Sequence, residues 1–244
     1  MKKKLLTIFF MLLTILFIIN LFQTIPIKAE DNATQFEEWL KQYWRYSLKI
    51  SPEETVENGN PCLINVPVNV SLPIMLLDPF EVGEIKQNCI LPSNRTILIP
   101  AYTGECDSGS ELGKSATSEE ILTCALDADV GFLDFSLSLD GKKIIDIKDV
   151  AVGDHPSIPN FIEVHTNDLF EVEVPENSEY IDVYKSGPGT YLAHAHGFFA
   201  KLDELSPGKH TLEYTQTISG TRGLGTQSGW SGGDNKVSYD ITVK

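Results

Sequence analysis

Leu133-Asp134-Phe135-Ser136-Leu137-Ser138-Leu139-Asp140-Gly141 decides the fold class. Apolar and polar residues alternate strictly, so one face of an extended chain is apolar and the other polar, as in a half-buried strand. Asp140-Gly141 supplies the left-handed conformations of a tight hairpin turn, so Lys142 to Ile147 is expected to run back alongside. Working outward, further strands are predicted at Phe161 to His165, Leu169 to Val174, Tyr180 to Tyr184, Tyr191 to Leu202, Lys209 to Ile218 and Lys236 to Val243. Short strands at this spacing predict a mainly β fold, an antiparallel β-sandwich or jelly roll with two short decorating helices. The glycine-rich stretch between Ser219 and Asn235 reads as a long loop.

Upstream of the hairpin, β-branched runs in CLINVPVNVSLPIMLL, IKQNCILP and RTILIPAY read as short strands. Their internal prolines confine them to sheet edges or bulges. A polar loop is expected from Gly104 to Gly109. Thr117 and Glu120 have the spacing of a capping box, which predicts a helix from about Ser118 to Asp127. Earlier still, Phe36, Trp39, Leu40, Tyr43, Trp44, Ser47 and Leu48 recur at helical spacing within Gln35 to Ile50. Asn32 or Thr34 would cap this helix and Pro52 would stop it. Such a stripe reads first as a face docked on a core and second as a sugar-stacking platform.

The chain begins Met1-Lys2-Lys3-Lys4 and continues apolar from Leu5 to Phe22. A basic start, an apolar run and Ala29 as a small residue at a cut site form the pattern of an export signal. The run is also near the minimum for a membrane-spanning helix, so an uncleaved anchor is the alternative. Residues 1–29 are thus read as signal peptide or anchor, and 30–244 as one extracytoplasmic β-rich domain. The membrane would be met only through that N-terminal segment.

The 244 residues carry 34 acidic and 19 basic side chains, a net charge of −15. Four of the lysines fall before residue 30 and none of the acids does, so the remaining domain is more acidic still. Such a surface repels phosphate backbones, which excludes nucleic acid as a partner. All four cysteines, Cys62, Cys89, Cys106 and Cys124, lie beyond the leader. An even count without any Cys-x-x-Cys pair reads as two disulfides. Three connectivities are open, and nearest-neighbour pairing, Cys62 with Cys89 and Cys106 with Cys124, is favoured. Glycosylation sequons stand at Asn32, Asn69 and Asn94.

Two clusters could carry chemistry. His194 and His196, two apart on a predicted strand, share a face and could reach one metal ion. A third or fourth ligand would have to come from His165, His210, Asp154 or His155. Two outward-facing polar residues are the plainer reading. Glu105 and Asp107 flank Cys106, and paired carboxylates can cleave glycosidic bonds, although solvated loop acids are the norm. No Gly-x-Ser-x-Gly elbow, His-Glu-x-x-His motif or Walker loop is present.

The order of features resembles a family of uncharacterised secreted prokaryotic proteins. The shared marks are the aromatic helix FEEWLKQYWRYSLKI, Pro61-Cys62, Asn88-Cys89-Ile90-Leu91-Pro92, Ile99-Pro100, Gly104-Glu105-Cys106, a helix bearing Cys124, Ala195-His196-Gly197-Phe198-Phe199 and Leu205-Ser206-Pro207-Gly208-Lys209-His210-Thr211. The sequence departs from the family after Cys62, where Val66 to Pro79 replaces a more aromatic segment, and in its paired histidines. The resemblance implies export, disulfides and a β-rich domain only, and supplies no activity to carry over. The resulting expectation is a non-catalytic extracytoplasmic module that binds a cell-surface or extracellular ligand, with carbohydrate as one ligand class. The alternatives are a secreted hydrolase using the loop carboxylates, and a metal-binding protein using His194 and His196. No cofactor is expected beyond that metal.

Overall fold

The computed structural model describes residues 30–50, 73–76, 83–109, 112–127, 132–149, 158–178, 181, 187–218 and 233–244. Leader residues 1–29, Cys62, Asn69, the pair Asp154 and His155, and residues 219–232 of the glycine-rich stretch therefore lie outside the described residues. So does the strand expected from Tyr180 to Tyr184, apart from Ile181. The chain divides into units 1–35 and 36–244, and the second holds every strand described. No helix among the described residues is long and apolar enough to cross a membrane.

The chain is mainly β. Helix α1 (Glu30–Ser47) is followed by strands β1 (Ile74–Met75), β2 (Glu84–Leu91) and β3 (Ile97–Asp107), then helix α2 (Ser118–Asp127). Strands β4 (Phe132–Leu139), β5 (Lys142–Ile147), β6 (Phe161–His165), β7 (Phe170–Val174), β8 (Gly189–Leu202), β9 (Gly208–Ile218) and β10 (Gly233–Val243) complete it. Sheet I runs β1-β3-β8-β6, with β7 also on β8, and sheet II runs β2-β10-β9-β4-β5. Pairing is antiparallel except at β1–β3 and β2–β10, which are parallel.

The predicted hairpin forms β4 and β5, and Asp140 (φ 51) and Gly141 (φ 75) occupy the two left-handed turn positions. Asp140 also fastens the turn to β9. Its Oδ1 accepts from the Thr211 N–H (2.9 Å) and its Oδ2 meets His210 Nδ1 (2.8 Å). His210 Nε2 reaches the Ser206 carbonyl at 2.9 Å. The Asp140 hydrogen bond and that carbonyl hold His210 above the ordinary imidazole value.

The inward residues of both sheets form one core. Phe135, Leu137, Leu212, Tyr214, Tyr239 and Ile241 of sheet II meet Ile97, Ile99, Tyr102, Phe198 and Ala200 of sheet I. Tyr102 stacks on Phe132 at 5.3 Å between ring centroids, and Phe161 stacks on Phe198 at 5.9 Å. Pro100 stands at a register shift in β3, the bulge its missing N–H calls for.

The other face of sheet I is covered by α1. Leu40, Tyr43, Trp44 and Leu48 pack on Leu98, Val172, Ala193, Ala195 and Phe199. The aromatic stripe is therefore a docking face for the sheet, as its spacing suggests. The helix reaches back at least to Glu30, so Asn32 and Thr34 lie within it and neither caps it. The capping box at α2 forms as predicted. The Thr117 N–H donates to Glu120 Oε2 (2.7 Å) and the Glu120 N–H to Thr117 Oγ1 (3.3 Å). Cys106 and Cys124 form the expected disulfide, joining β3 to α2. Cys89 is buried and disulfide-bonded.

Candidate functional site

The structure corrects two expectations about the residues that could carry chemistry. The segment Gly104 to Asp107 is not a loop. It is the end of β3, paired with Ala193 to His196 of β8. Glu105 and Asp107 are therefore not solvated; they are 7% and 3% exposed. Hydrophilicity suggested a loop, but register with a long neighbouring strand prevails over local polarity. His194 and His196 do not point outward either; they face inward and are 1% and 5% exposed.

Strand alternation separates these groups. Register pairs Cys106 with His194 and Gly104 with His196, so these four share the core face of sheet I. Glu105 pairs with Ala195, and Ala195 packs in the cluster beneath α1, so Glu105 and Asp107 point to the opposite face. The structure thus brings the two carboxylates together and the two histidines together, but on different faces of one sheet. Burial pushes the Glu105 carboxyl well above the ordinary carboxylate range, and the neighbouring Asp107 charge adds to this. Glu105 Oε1 has no hydrogen-bond partner. Asp107 Oδ1 accepts the N–H of Gly109.

The histidines are held where sheet I changes its edge strand. Both β6 and β7 pair with β8, Phe161 to His165 with its later half and Phe170 to Val174 with its start. Thr166 occupies the jog between them and is fully buried. Its N–H donates to the Ala195 carbonyl (2.9 Å) and its Oγ1 accepts the Ala195 N–H (3.0 Å). The hydroxyl replaces a backbone acceptor lost at the break, as a buried N–H requires. The same hydroxyl lies 2.9 Å from His194 Nδ1, and His194 Nε2 lies 2.9 Å from Ser118 Oγ at the start of α2. Both ring nitrogens of His194 are engaged, so neither is open to a metal. Burial lowers its pKa, while a Thr166 backbone hydrogen bond and the Asp168 carboxylate oppose the shift.

The jog is fixed from the other side by α1. Glu37 accepts from the Asn167 N–H (3.1 Å) and Asn167 Nδ2 (2.6 Å), and from Lys41 Nζ (2.7 Å). Burial alone would raise the Glu37 pKa, but the hydrogen bonds from Lys41 and Asn167 bring it below the ordinary value.

His196 Nε2 meets Glu163 Oε1 at 3.1 Å, and its ring lies 6.4 Å from that of His165. Burial pushes His196 down to about 4. The half-exposed Glu163 carboxylate at 3.1 Å acts against that shift. Among the described residues, no three His, Cys, Asp or Glu side chains converge to hold a metal ion. His210, a further ligand candidate, is engaged at the hairpin turn. Asn94 lies in an exposed turn at φ 58, and Asn32 lies in α1.

Ser118 and Thr166 are the site residues that sequence reading missed. The capping box located the start of α2, but nothing local links position 118 to position 194.

No model of a known protein family matches the chain, and no curated protein does. Among solved structures, the chain is similar to one described as the structure of PbICP-C in complex with falcipain-2. Identity is 13%, 70% of this chain and 97% of that chain are covered, and the TM-score is 0.22. Overlap at that level carries neither fold nor function.

Proposed function

We propose that the protein is an extracytoplasmic binding module that meets a polar, hydroxyl-rich ligand of the cell surface, carbohydrate in class, on the open face of sheet II. The observation that carries this reading is an asymmetry. Sheet I has α1 on its outer face, whereas the described helices leave the outer face of sheet II uncovered. Register lays polar side chains across all five strands there. One row is Lys86, Ser238, Glu213, Ser138 and Lys143; the next is Glu84, Lys236, Thr215, Ser136 and Asp146. These positions are exposed or half-buried. Hydroxyls, carboxylates and ammonium groups at strand spacing suit the alternating donors and acceptors of a saccharide. The disulfide between Cys106 and Cys124 supports an oxidising compartment.

The carboxylate hydrolase has less support, because Glu105 and Asp107 lie closed beneath sheet I's outer layer. Metal binding at His194 and His196 has less support for the same kind of reason. Stacking on aromatics is not the expected mode, since the large apolar residues exposed among the described ones are Ile90, Leu126, Ile144 and Leu192. A glycan array with purified domain, followed by calorimetric titration of the best hit, tests the proposal. Retention is expected, with at least a tenfold loss in Thr215→Arg or Ser138→Arg, which block the centre of the face while keeping the fold. No retained glycan, or full binding by both variants, would remove it.

A further inference from the structure

We propose that Ser118, His194 and Thr166 form an acyl-transfer relay at the start of α2, with small neutral or cationic esters as substrates. The relay is on sheet I and independent of the binding face of sheet II. Its geometry is that of a nucleophile, a base and a group that orients the base. Ser118 is exposed, whereas His194 behind it is 1% exposed and Thr166 is 0% exposed. The two links are both 2.9 Å.

The relay uses the imidazole tautomer with its proton on Nδ1, which the hydrogen bonds around Thr166 accommodate. Its hydroxyl accepts the Ala195 N–H and can donate to the Ala195 carbonyl at 3.4 Å. With that proton placed, the remaining lone pair takes the Nδ1–H of His194, and the full capacity of the hydroxyl is used. Nε2 then carries a lone pair toward the Ser118 hydroxyl, the arrangement a general base requires. The depressed basicity of His194 keeps the ring neutral at pH 7. Two devices keep Ser118 in register. The disulfide from Cys106, directly opposite His194 on β3, holds α2 in place, and Ile121 and Ala125 pack against it.

In the first half-reaction Ser118 Oγ forms a bond to the ester carbonyl carbon as its proton passes to His194 Nε2. The carbonyl π pair moves to oxygen, beside the Glu119 N–H in the first turn of α2, where helix N–H groups lack intrahelical partners. Collapse breaks the bond to the alkoxy oxygen, His194 returns the proton to the departing alcohol, and an acyl-Ser118 remains. Water repeats the sequence and releases the acid. The carboxylates of Glu119 and Glu120 follow Ser118 in sequence and that of Asp168 acts on His194, which disfavours anionic substrates.

The test uses full-length exported protein, a fluorophosphonate probe with intact-mass and peptide mapping, and p-nitrophenyl acetate turnover. One probe adduct at Ser118 and none in Ser118→Ala are expected. His194→Gln should slow acylation by about 10²-fold. Thr166→Val should slow it too, with recovery in Thr166→Ser, which a purely structural hydroxyl at Ala195 would not produce in the acylation rate of folded protein. The acylation rate should rise with pH along a single ionisation below 6.5, the ordinary imidazole value. Folded wild type, verified by circular dichroism, that gains no adduct at Ser118 overturns the proposal. So does an esterase rate equal to that of Ser118→Ala.

Discussion

Glu105 and His196 lie on opposite faces of sheet I and pull the stability of the protein in opposite directions with pH. Glu105 holds its proton in the folded state well above 4.5, its ordinary value. Its contribution is complete below that value and declines as pH rises through the folded pKa. His196 is depressed from 6.5 to about 4, so the folded state binds fewer protons than the unfolded one in that window and stability falls as pH falls through it. Each group alone gives a slope of up to about 1.4 kcal/mol per pH unit. Above pH 4.5, while Glu105 keeps its proton, the two slopes oppose, and comparing each variant with the wild type cancels the shared contributions of His194, His210 and the other shifted groups. Relative to the wild type, the urea midpoint of Glu105→Gln should fall as the solution is acidified. Relative to the wild type, the midpoint of His196→Gln should fall as pH is raised. Two variants with the same pH dependence as the wild type would show that neither carboxyl nor imidazole titrates as its burial requires.

The same residues show why the site was only partly legible. Polar Glu105 and Asp107 beside Gly104 suggested a loop, because their burial is created by β8, about ninety residues further on, and not by their neighbours in sequence. His194 and His196 were correctly placed on one face of one strand. Whether that face met water was decided by the opposite sheet and by α2, for which local alternation has no signal.

At the scale of elements, periodicity served better. The β4–β5 hairpin, the capping box of α2 and the aromatic face of α1 were all readable, because each rests on contacts a few residues apart. Parallel pairing of β2 with β10 was not, since residues 84 and 236 stand 152 positions apart in sequence. The packing of α1 has a measurable weight. Trp44 is 1% exposed between the helix and sheet I, so Trp44→Ala should cost about 3–5 kcal/mol in chemical denaturation. A loss below about 1 kcal/mol would mean that the helix is peripheral to the folded unit. The disulfide spans 18 residues in sequence, and removing it as Cys106→Ser with Cys124→Ser should cost about 3 kcal/mol. Hydrogen exchange should show the loss first in Ser118 to Asp127, with the β8–β3 ladder still protected. Uniform loss across both would show that α2 and sheet I unfold as one unit.

For the whole molecule, the position of β10 has a consequence for assembly. β10 does not lie at an edge. It sits between β2 and β9, hydrogen-bonded along its length to both, and residue 236 meets residue 84. A chain made from its N-terminus can therefore form the β4–β5 hairpin and seat α1 while it grows, but among the described strands β2 has no partner in sheet II until residues 233–244 emerge. Long-range closure of this kind makes folding slow and leaves an unpaired strand edge exposed meanwhile. Ending the chain after residue 232 should leave β2 detached, with β9 as a raw edge, and give an aggregating product rather than a slightly weakened domain. Supplying residues 233–244 as a separate peptide should restore soluble, protease-resistant protein; a soluble truncated chain needing no peptide would show that sheet II closes without its middle strand. Maturation is thus timed by β10: release of residues 233–244, more than of any earlier segment, commits sheet II to its native state.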